Sequence, residues 1–293
     1  MKILISDPFY PEFEDQLRKY GEVTTEKSIY TEADIILIRS ATKADKSYLK
    51  NAKSLKLIIR GGVGIDNIDI ETAKLIGIQV RNTPSSSSIS VAEMAMTLML
   101  SLTNKVVKAD TSMQNNKWLK KQLKRSELFG KTLGIIGYGR IGSEVAKRGV
   151  AFGMTILGYH YREIKSNYGK ISTNLEEVLQ KSDYLSLHLP LKEDTRDFLN
   201  SEVISMCRPN TILINTGRGE TVDETAIANA LKTGKLGGYA SDVWSQYPPT
   251  DSPLISAPNV LMTPHLGAST KECMLRIGAE IIQTIEEFIS RKY

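Results

Sequence analysis

The sequence predicts an α/β protein made of two doubly wound parallel sheets, one in each of two domains. Two observations predict this fold class: short β-rich runs alternate with helical segments along the chain, and a glycine-rich turn follows an apolar run near residue 137. Strands that alternate with helices form βαβ units, and their right-handed crossovers place helices on both faces of a parallel sheet. The 293 residues, 41% of them hydrophobic, are enough to bury two such cores.

Short runs rich in β-branched and other apolar residues are the predicted strands of these sheets. The first group is Lys2–Ser6, Ile35–Ile38, Leu57–Ile59 and Ile78–Val80. The second group is Thr132–Ile136, Thr155–Tyr159, Tyr184–Leu187, Thr211–Asn215, Gly238–Ala240 and Val260–Met262. We expect each group to form the sheet of one domain.

Two long helices are predicted outside these groups. One covers about residues 91–118, between the two groups of strands, and an amphipathic helix over about 270–290 ends the chain. The final helix follows the last strand of the second group, and we expect it to pack back on the first domain. The sequence therefore predicts one domain of residues 1–97 and 270–293 and another of residues 98–269.

Composition argues against several classes of protein. The two cysteines, Cys207 and Cys273, are far apart, which indicates neither a disulfide framework nor a metal site and fits a reducing cytoplasm. The most apolar helical stretch, residues 91–102, is too short to span a membrane. The net charge of +5 suits anionic ligands, and the basic segment 117–125 is interpreted as a solvated loop or a subunit contact rather than a nucleic-acid site.

One segment carries a dinucleotide-binding pattern. An apolar run leads directly into Gly137-x-Gly139-x-x-Gly142, and a helical segment follows. The first glycine permits a tight turn, the second lets the backbone approach a pyrophosphate, and the third lets the helix pack close to the strand. The free N–H groups at the helix start, near Arg140 and Ile141, are then expected to face the phosphates.

The end of the next predicted strand departs from this pattern. An acidic residue commonly binds the ribose 2′-hydroxyl there, whereas this strand runs into His160-Tyr161-Arg162. The planar guanidinium of Arg162 matches the geometry of a phosphate. The cofactor predicted from these residues is therefore NAD or NADP, with neither favoured.

The chain has three histidines, which limits the search for an acid–base group that works near neutral pH. His160, His188 and His265 each follow a predicted strand, where ligands bind in α/β sheets, so position alone does not choose between them. Hydride transfer to or from an anionic substrate also needs a cation that holds the charged group. Arg218 follows another apolar strand and can supply that cation.

Several further segments match the motifs of one enzyme family. They are Arg39–Lys43, Arg60–Asp69, Asn82–Pro84, Ser90–Glu93, Leu128–Gly134, Gly217–Gly219, Val222–Glu224 and Pro264–Thr270. With the glycine turn, these segments make the chain resemble the D-2-hydroxyacid dehydrogenases over nearly its whole length. Within the family it is most similar to the short D-3-phosphoglycerate dehydrogenases that lack a regulatory domain. The resemblance implies an NAD(P)-dependent enzyme that acts on a CH–OH group.

The resemblance also implies a fold and an assembly. The fold is a Rossmann-type cofactor domain and a flavodoxin-like substrate domain with a cleft between them. The first domain and the last helix are expected to bind the substrate, and the middle segment is expected to bind the cofactor. The basic segment 117–125 is expected to lie near the subunit contact of a homodimer.

The same resemblance implies roles for particular residues. His265 is expected to be the acid–base group, Arg218 to bind the substrate carboxylate and carbonyl, and Asp242 to hold the nicotinamide amide. The backbone at Val63 and Gly64 is expected to meet the substrate carboxylate. The remaining residues expected around the cofactor are His160, Arg162, His188, Pro190, Thr195, Thr216 and Gly267.

One position departs from the family pattern. The family places a glutamate beside the catalytic histidine, and the matching residue here is Tyr247. A phenol can form a hydrogen bond to an imidazole, but it is neutral near pH 7 and supplies no fixed negative charge. We therefore predict that His265 is protonated less readily than in the usual pair.

The sequence leaves the substrate open. Arg39, Lys43 and Arg60 form a basic set for a substrate phosphate, which favours interconversion of D-3-phosphoglycerate and 3-phosphohydroxypyruvate, the reaction that feeds serine synthesis. The missing cofactor aspartate, Glu220 and the all-serine loop 85–88 instead favour reduction of glyoxylate, hydroxypyruvate or another small 2-keto acid. Because the family glutamate is absent, a non-catalytic role as a dinucleotide-sensing scaffold is a further alternative.

Overall fold

The structure is a computed structural model that describes residues 1–290, and the chain divides into two compact units. Unit 1 contains Met1–Ser88 and the described residues from Ala268 onward, and unit 2 contains Ile89–Gly267. The boundary predicted after residue 97 falls inside a continuous helix. That helix belongs to unit 2 because its buried residues, such as Ala95 and Met99, pack in the same core as strand residues of unit 2.

All strands of the two sheets pair in parallel. The strands are β1 (Lys2–Ile5), β2 (Glu22–Thr24), β3 (Ile35–Ile38), β4 (Leu57–Arg60), β5 (Gln79–Asn82), β6 (Thr132–Ile136), β7 (Thr155–Tyr159), β8 (Lys170–Ser172), β9 (Tyr184–Leu187), β10 (Thr211–Asn215), β11 (Leu236–Ser241) and β12 (Val260–Met262). The α-helices are α1 (Phe13–Leu17), α2 (Lys46–Asn51), α3 (Ile70–Leu75), α4 (Ser88–Asn104), α5 (Val106–Gln114), α6 (Arg140–Ala151), α7 (Leu175–Lys181), α8 (Ser201–Met206), α9 (Glu224–Lys232) and α10 (Lys271–Ser290).

Unit 1 is built on a five-stranded sheet with the order β2-β1-β3-β4-β5, which is the flavodoxin-like order. Residues that alternate along β3 pack on opposite faces: Ile35 packs with Ile277 of α10, and Ile36 packs with Leu49 of α2. From β1 the chain leads to β2 on one side and to β3 on the other. The carboxyl ends of β1 and β3 therefore frame the switch point at which such sheets bind ligands.

Unit 2 is built on a seven-stranded sheet with the order β12-β11-β10-β9-β6-β7-β8. From β6 the chain continues to β7 and β8 on one side and returns to β9, β10, β11 and β12 on the other. This is the doubly wound, Rossmann-type arrangement, and its switch point lies between β6 and β9. The two predicted doubly wound sheets are thereby confirmed.

Three elements differ from the sequence prediction. The strands β2 and β8 were not predicted, because each has three residues, lies at a sheet edge and lacks an apolar run. The prediction of a single helix over about residues 91–118 is wrong, because the structure contains two helices there. Lys105 adopts the left-handed conformation with φ of 55°, which separates α4 from α5, and the second helix ends at Gln114.

None of the helices among residues 1–290 has the length and apolar composition that crossing a membrane requires.

Candidate active site

The glycine turn lies at the carboxyl end of β6 and leads into α6. Gly137 has a φ of 91°, and a Cβ atom there would lie 2.8 Å from the carbonyl of His188. A Cβ on Gly142 would lie 2.7 Å from the carbonyl oxygen of Gly137, so the helix packs directly on the turn. Both positions require glycine for steric reasons.

The middle glycine has a different environment. A Cβ on Gly139 would meet no atom within 4 Å, so the space beside this residue is open. Gly139 is also the N-cap of α6, where no side chain caps the first N–H groups of the helix, near Arg140 and Ile141. An open surface at an uncapped helix N-terminus fits the pyrophosphate of a dinucleotide.

The imidazole of His188 lies beside this turn, at the carboxyl end of β9. Its Nε2 lies 2.9 Å from Oγ of Ser186, and its Nδ1 lies 3.4 Å from Oγ1 of Thr216. Burial lowers the pKa of the His188 imidazole to about 3. His188 is therefore neutral and only weakly basic near pH 7, which makes it poorly suited to the acid–base role that the sequence left open.

The loop after β9 folds back on itself next to the glycine turn. Oγ1 of Thr195 donates a hydrogen bond to the carbonyl of Pro190 at 2.7 Å and accepts one from the backbone N–H of Lys192 at 2.8 Å. A Cβ on Gly217 would lie 3.1 Å from the carbonyl oxygen of Leu189, so the loops after β9 and β10 are in contact. The glycine turn and the predicted cofactor residues His188, Pro190, Thr195 and Thr216 thus lie at the carboxyl ends of β6, β9 and β10.

The end of β7 presents a cluster of aromatic and basic side chains. Nδ1 of His160 accepts a hydrogen bond from the backbone N–H of Arg162 at 3.1 Å, which fixes the turn between them. The ring centroids of His160 and Tyr161 lie 4.6 Å apart, and Cζ of Arg162 lies 4.8 Å from the centroid of the Tyr161 ring. The side chain of His160 therefore organises the turn that carries the arginine.

His265 lies in the loop after β12, and Asp242 holds that loop. Oδ1 of Asp242 accepts hydrogen bonds from the backbone N–H of Leu266 at 2.7 Å and from Oγ1 of Thr263 at 2.6 Å, and Oδ2 accepts one from the N–H of Gly267 at 2.7 Å. His265 has a φ of 59°, a conformation that residues other than glycine rarely adopt. The buried carboxylate binds the backbone after His265 and the Thr263 side chain before it, and so maintains this conformation.

This function of Asp242 was not predicted from the sequence. The resemblance implied a contact with the nicotinamide amide, which stays a prediction. The pattern Ser241-Asp242-Val243 after an apolar strand marks a polar residue at a ligand-binding edge, but it carries no information about which loop the carboxylate meets.

Tyr247 contacts His265 through the faces of the two rings. The ring centroids lie 5.5 Å apart and the planes are inclined by 28°. The phenol oxygen accepts a hydrogen bond from the backbone N–H of Trp244 at 3.2 Å. Partial burial raises the pKa of the Tyr247 phenol above its ordinary value, so the ring beside His265 is neutral near pH 7.

Arg218 belongs to the same cluster. It follows β10, and a Cβ on the next residue, Gly219, would lie 1.9 Å from the backbone carbon of Trp244, so this segment packs tightly against the one that carries Tyr247. The Arg218 guanidinium is close enough to lower the pKa of Tyr247, opposing the effects of burial, Glu220 and Asp242. The structure thus gathers the three predicted catalytic side chains in unit 2.

Glu224 fixes the segment that carries Tyr247. Its Oε1 accepts hydrogen bonds from the backbone N–H of Ser245 at 3.2 Å and from Oγ of Ser245 at 2.9 Å, and its Oε2 accepts one from Oγ of Ser252 at 2.5 Å. The carboxylate thereby clamps both ends of the segment. Sequence reasoning recognised Val222–Glu224 only as a family motif and missed this contact.

The predicted substrate-binding residues lie in unit 1. Arg39 follows β3 and Arg60 ends β4, so both lie at the carboxyl edge of the sheet, and Lys43 is exposed on the loop after Arg39. The guanidinium of Arg60 lies across Gly62, where a Cβ would come within 1.5 Å of it.

The loop after β4 also contains Val63 and Gly64, whose backbone was expected to meet the substrate carboxylate. Nδ2 of Asn82, at the end of β5, donates a hydrogen bond to the carbonyl of Val63 at 2.6 Å. A side chain from the neighbouring strand therefore fixes this loop.

Comparisons with known proteins identify the family to which the chain is related. Residues 96–267 match the family model for the D-isomer specific 2-hydroxyacid dehydrogenase, NAD binding domain. The chain is 42% identical over 296 residues to a hydroxypyruvate reductase of Thermotoga maritima, covering 97% of each protein. It is 40% identical over 301 residues to a D-3-phosphoglycerate dehydrogenase of Methanocaldococcus jannaschii, covering 99% of this chain but 57% of that protein.

A solved structure shows the same fold. The D-lactate dehydrogenase of Aquifex aeolicus, complexed with NAD and lactic acid, superposes with a TM-score of 0.88 at 30% identity and covers 99% of this chain and 96% of that one. The chain belongs to the D-2-hydroxyacid dehydrogenases. It is an NAD(P)-dependent oxidoreductase of this family, and the predicted enzyme class and nicotinamide cofactor are confirmed.

Among residues 1–290, no group of three or more Asp, Glu, His or Cys residues is arranged to hold a metal ion.

Proposed function

We propose that the protein interconverts a D-2-hydroxy acid carrying a distal anion and its 2-keto acid, with D-3-phosphoglycerate and 3-phosphohydroxypyruvate as the preferred pair. The observation that carries this proposal is the basic set Arg39, Lys43 and Arg60, which lies at the carboxyl edge of the unit 1 sheet next to its switch point. Guanidinium and ammonium groups are the side chains that bind phosphate most strongly.

The chemistry at the substrate's second carbon is assigned to residues of unit 2. A nicotinamide dinucleotide bound to this unit would supply or accept the hydride. In the direction of reduction, the imidazole of His265 donates a proton to the carbonyl oxygen as that carbon receives the hydride, and in oxidation the imidazole takes the hydroxyl proton. Arg218 pairs with the substrate carboxylate and stabilises the charge that develops on the reacting oxygen.

The end of β7 supports use of the 2′-phosphorylated cofactor as well as NAD. The turn after this strand carries His160, Tyr161 and Arg162 in place of the carboxylate that binds a 2′-hydroxyl and repels a 2′-phosphate. The hydrogen bond from the Arg162 backbone to His160 fixes the turn that presents the guanidinium.

A second candidate is the reduction of hydroxypyruvate or glyoxylate. Glu220 contributes a negative charge near Tyr247 and Arg218, which disfavours a doubly charged phosphorylated acid. The Thermotoga maritima relative, which the chain covers almost fully, is named as a hydroxypyruvate reductase.

Steady-state kinetics with a panel of 2-keto acids tests the proposal. With either NADH or NADPH, we expect kcat/KM for 3-phosphohydroxypyruvate to exceed that for hydroxypyruvate and glyoxylate by about tenfold or more, the effect of one additional charge-assisted hydrogen bond. Preference for the unphosphorylated acids would favour the second candidate. Tight dinucleotide binding without turnover of any acid would favour a scaffold.

Replacement of Tyr247 by glutamate tests the pairing with His265. Reduction requires the protonated imidazole, and an adjacent carboxylate favours that form, so Tyr247→Glu should move the alkaline limb of the kcat/KM profile for keto-acid reduction upward by about one pH unit. Tyr247→Phe keeps a neutral ring at the position and should leave that limb in place. If the alkaline limb moves equally in both variants, the charge beside His265 does not determine the pH at which kcat/KM falls.

A further inference from the structure

Two side chains hold the loop that follows β3 in unit 1. Asp7 follows β1, and its Oδ2 accepts hydrogen bonds from the backbone N–H of Arg39 at 2.6 Å and of Thr42 at 3.1 Å. Its Oδ1 accepts a third from Oγ1 of Thr42 at 2.6 Å. The Asp7 side chain is 1% exposed, so water does not compete with these contacts.

Asn67 binds the carbonyl groups of the same loop, whereas Asp7 binds its N–H groups. Its Nδ2 donates hydrogen bonds to the carbonyl of Arg39 at 2.8 Å and of Thr42 at 2.7 Å. The backbone N–H of Ala44 donates to the carbonyl of Asn67 at 2.8 Å, which joins the two loops directly. Both the N–H and the C=O groups of residues 39 and 42 are therefore bonded by side chains from other segments, rather than by a helix or a strand.

The charge of Asp7 is retained despite its burial. Burial raises the pKa of the carboxyl, but the hydrogen bonds from Thr42 and Arg39, with Lys27 at 3.8 Å, outweigh it and lower the pKa below its ordinary value. Asp7 is thus ionised near pH 7, and its charge is compensated by donors of the loop it holds. The site is also the switch point between β1 and β3, where the fold class places ligands.

We propose that Asp7 and Asn67 are positioning residues that fix Arg39–Lys43 as the loop that recognises the distal anion of the substrate. The inference rests on the proposed function, since it assigns the specificity for the phosphorylated acid to the geometry of this loop. Neither residue needs to touch the substrate. Their effect is to present Arg39 and Lys43 from a backbone with one fixed conformation, which avoids the entropy cost of ordering the loop on binding.

Kinetics of Asp7→Asn and Asn67→Ala test the proposal. The KM for 3-phosphohydroxypyruvate should rise by about tenfold, which corresponds to about 1.4 kcal/mol of binding, while kcat changes by less than about twofold. For hydroxypyruvate, which lacks the distal anion, both constants should stay within about twofold of the parent protein. An equal rise in KM for both acids would overturn the specificity role.

Asp45→Asn is the matched control. Asp45 follows the same loop in the chain and caps α2 by accepting a hydrogen bond from the backbone N–H of Tyr48 at 2.8 Å. Asparagine caps a helix about as well as aspartate, so this variant removes a charge from the neighbourhood without releasing the loop. We expect the KM values for both acids to remain at those of the parent protein.

Hydrogen exchange and phosphate titration separate this proposal from the proposed function. In Asp7→Asn, the amides of Arg39 and Thr42 should lose protection while those of β3 and β4 keep it, and inorganic phosphate should bind the variant more weakly than the parent protein. If the parent protein turns over no phosphorylated acid, the proposed function fails, and these two measurements still decide the positioning role. Unchanged protection and unchanged phosphate affinity would overturn it. If Asp7→Asn fails to fold, Asn67→Ala releases the carbonyls of the same loop, and its KM values and phosphate affinity provide the test.

Discussion

Replacement of His265 by asparagine is expected to lower kcat for 2-keto acid reduction by about 10² to 10⁴-fold, the usual contribution of a positioned acid–base group. Asparagine is the appropriate substitution because His265 has a φ of 59°, and asparagine tolerates that conformation better than alanine does. The loop held by Asp242 should therefore keep its shape, so the loss reports on proton transfer. Stopped-flow measurement of the chemical step, with dinucleotide affinity measured separately, checks this result.

His160→Asn is the comparison for this experiment. His160 lies at the end of β7, and this variant should alter the KM for the dinucleotide while leaving kcat within about twofold. An unchanged kcat in His265→Asn would mean that another group transfers the proton. His188 is poorly suited to that role, because burial lowers the pKa of its imidazole to about 3.

Replacement of Arg218 by lysine is expected to lower kcat/KM for every 2-keto acid by about 10² to 10³-fold, the range seen when one group that stabilises the transition-state charge is lost. Lysine keeps the positive charge near Tyr247 but cannot offer the two parallel N–H donors that a carboxylate accepts from a guanidinium. The variant therefore separates the geometry of the side chain from its charge.

Arg208→Lys is the control for this substitution. Nη1 of Arg208 lies 2.9 Å from Oδ1 of Asp183, in a partly exposed ion pair of unit 2. Exposed pairs contribute little to stability, so this variant should keep kcat/KM within about twofold of the parent protein. If Arg218→Lys also keeps kcat/KM within about twofold, a point charge at this position is sufficient. The substrate carboxylate is then not held by two parallel hydrogen bonds from the guanidinium.

Much of the fold followed from local patterns in the sequence. The apolar strands of both sheets were predicted because a fully buried parallel strand reads as a continuous apolar run, as in Ile35–Ile38, where all four residues are buried. The edge strand β2 could not be predicted in this way, since its sequence Glu-Val-Thr has one apolar residue and its position depends on pairing with β1. The prediction of one continuous long helix failed for a similar reason, because Lys105, where the helix is interrupted, gives no local signal for its left-handed conformation.

The candidate site was predicted less completely than the fold. Motifs identified His265 and Arg218, and they also showed that Tyr247 replaces the family glutamate. The motifs do not determine whether Tyr247 meets His265 through a hydrogen bond or through the ring-face contact that the structure contains. Asp7, Asn67 and Glu224 act on loops that are distant in the chain. Their contacts depend on which strand ends become neighbours, and a single sequence does not reveal those tertiary distances.

Because a single carboxylate holds a whole loop, the protein is sensitive to mutation of that one residue. Asp7 in unit 1 and Asp242 in unit 2 each accept two backbone N–H groups and one threonine hydroxyl, although the two units have different sheets. A random change at either codon leaves every strand sequence untouched, yet it removes the acceptor that several donors share. A mutant library sorted for folded protein with a reduced kcat/KM for 3-phosphohydroxypyruvate should therefore be enriched in changes at these two codons, above the average for exposed aspartates.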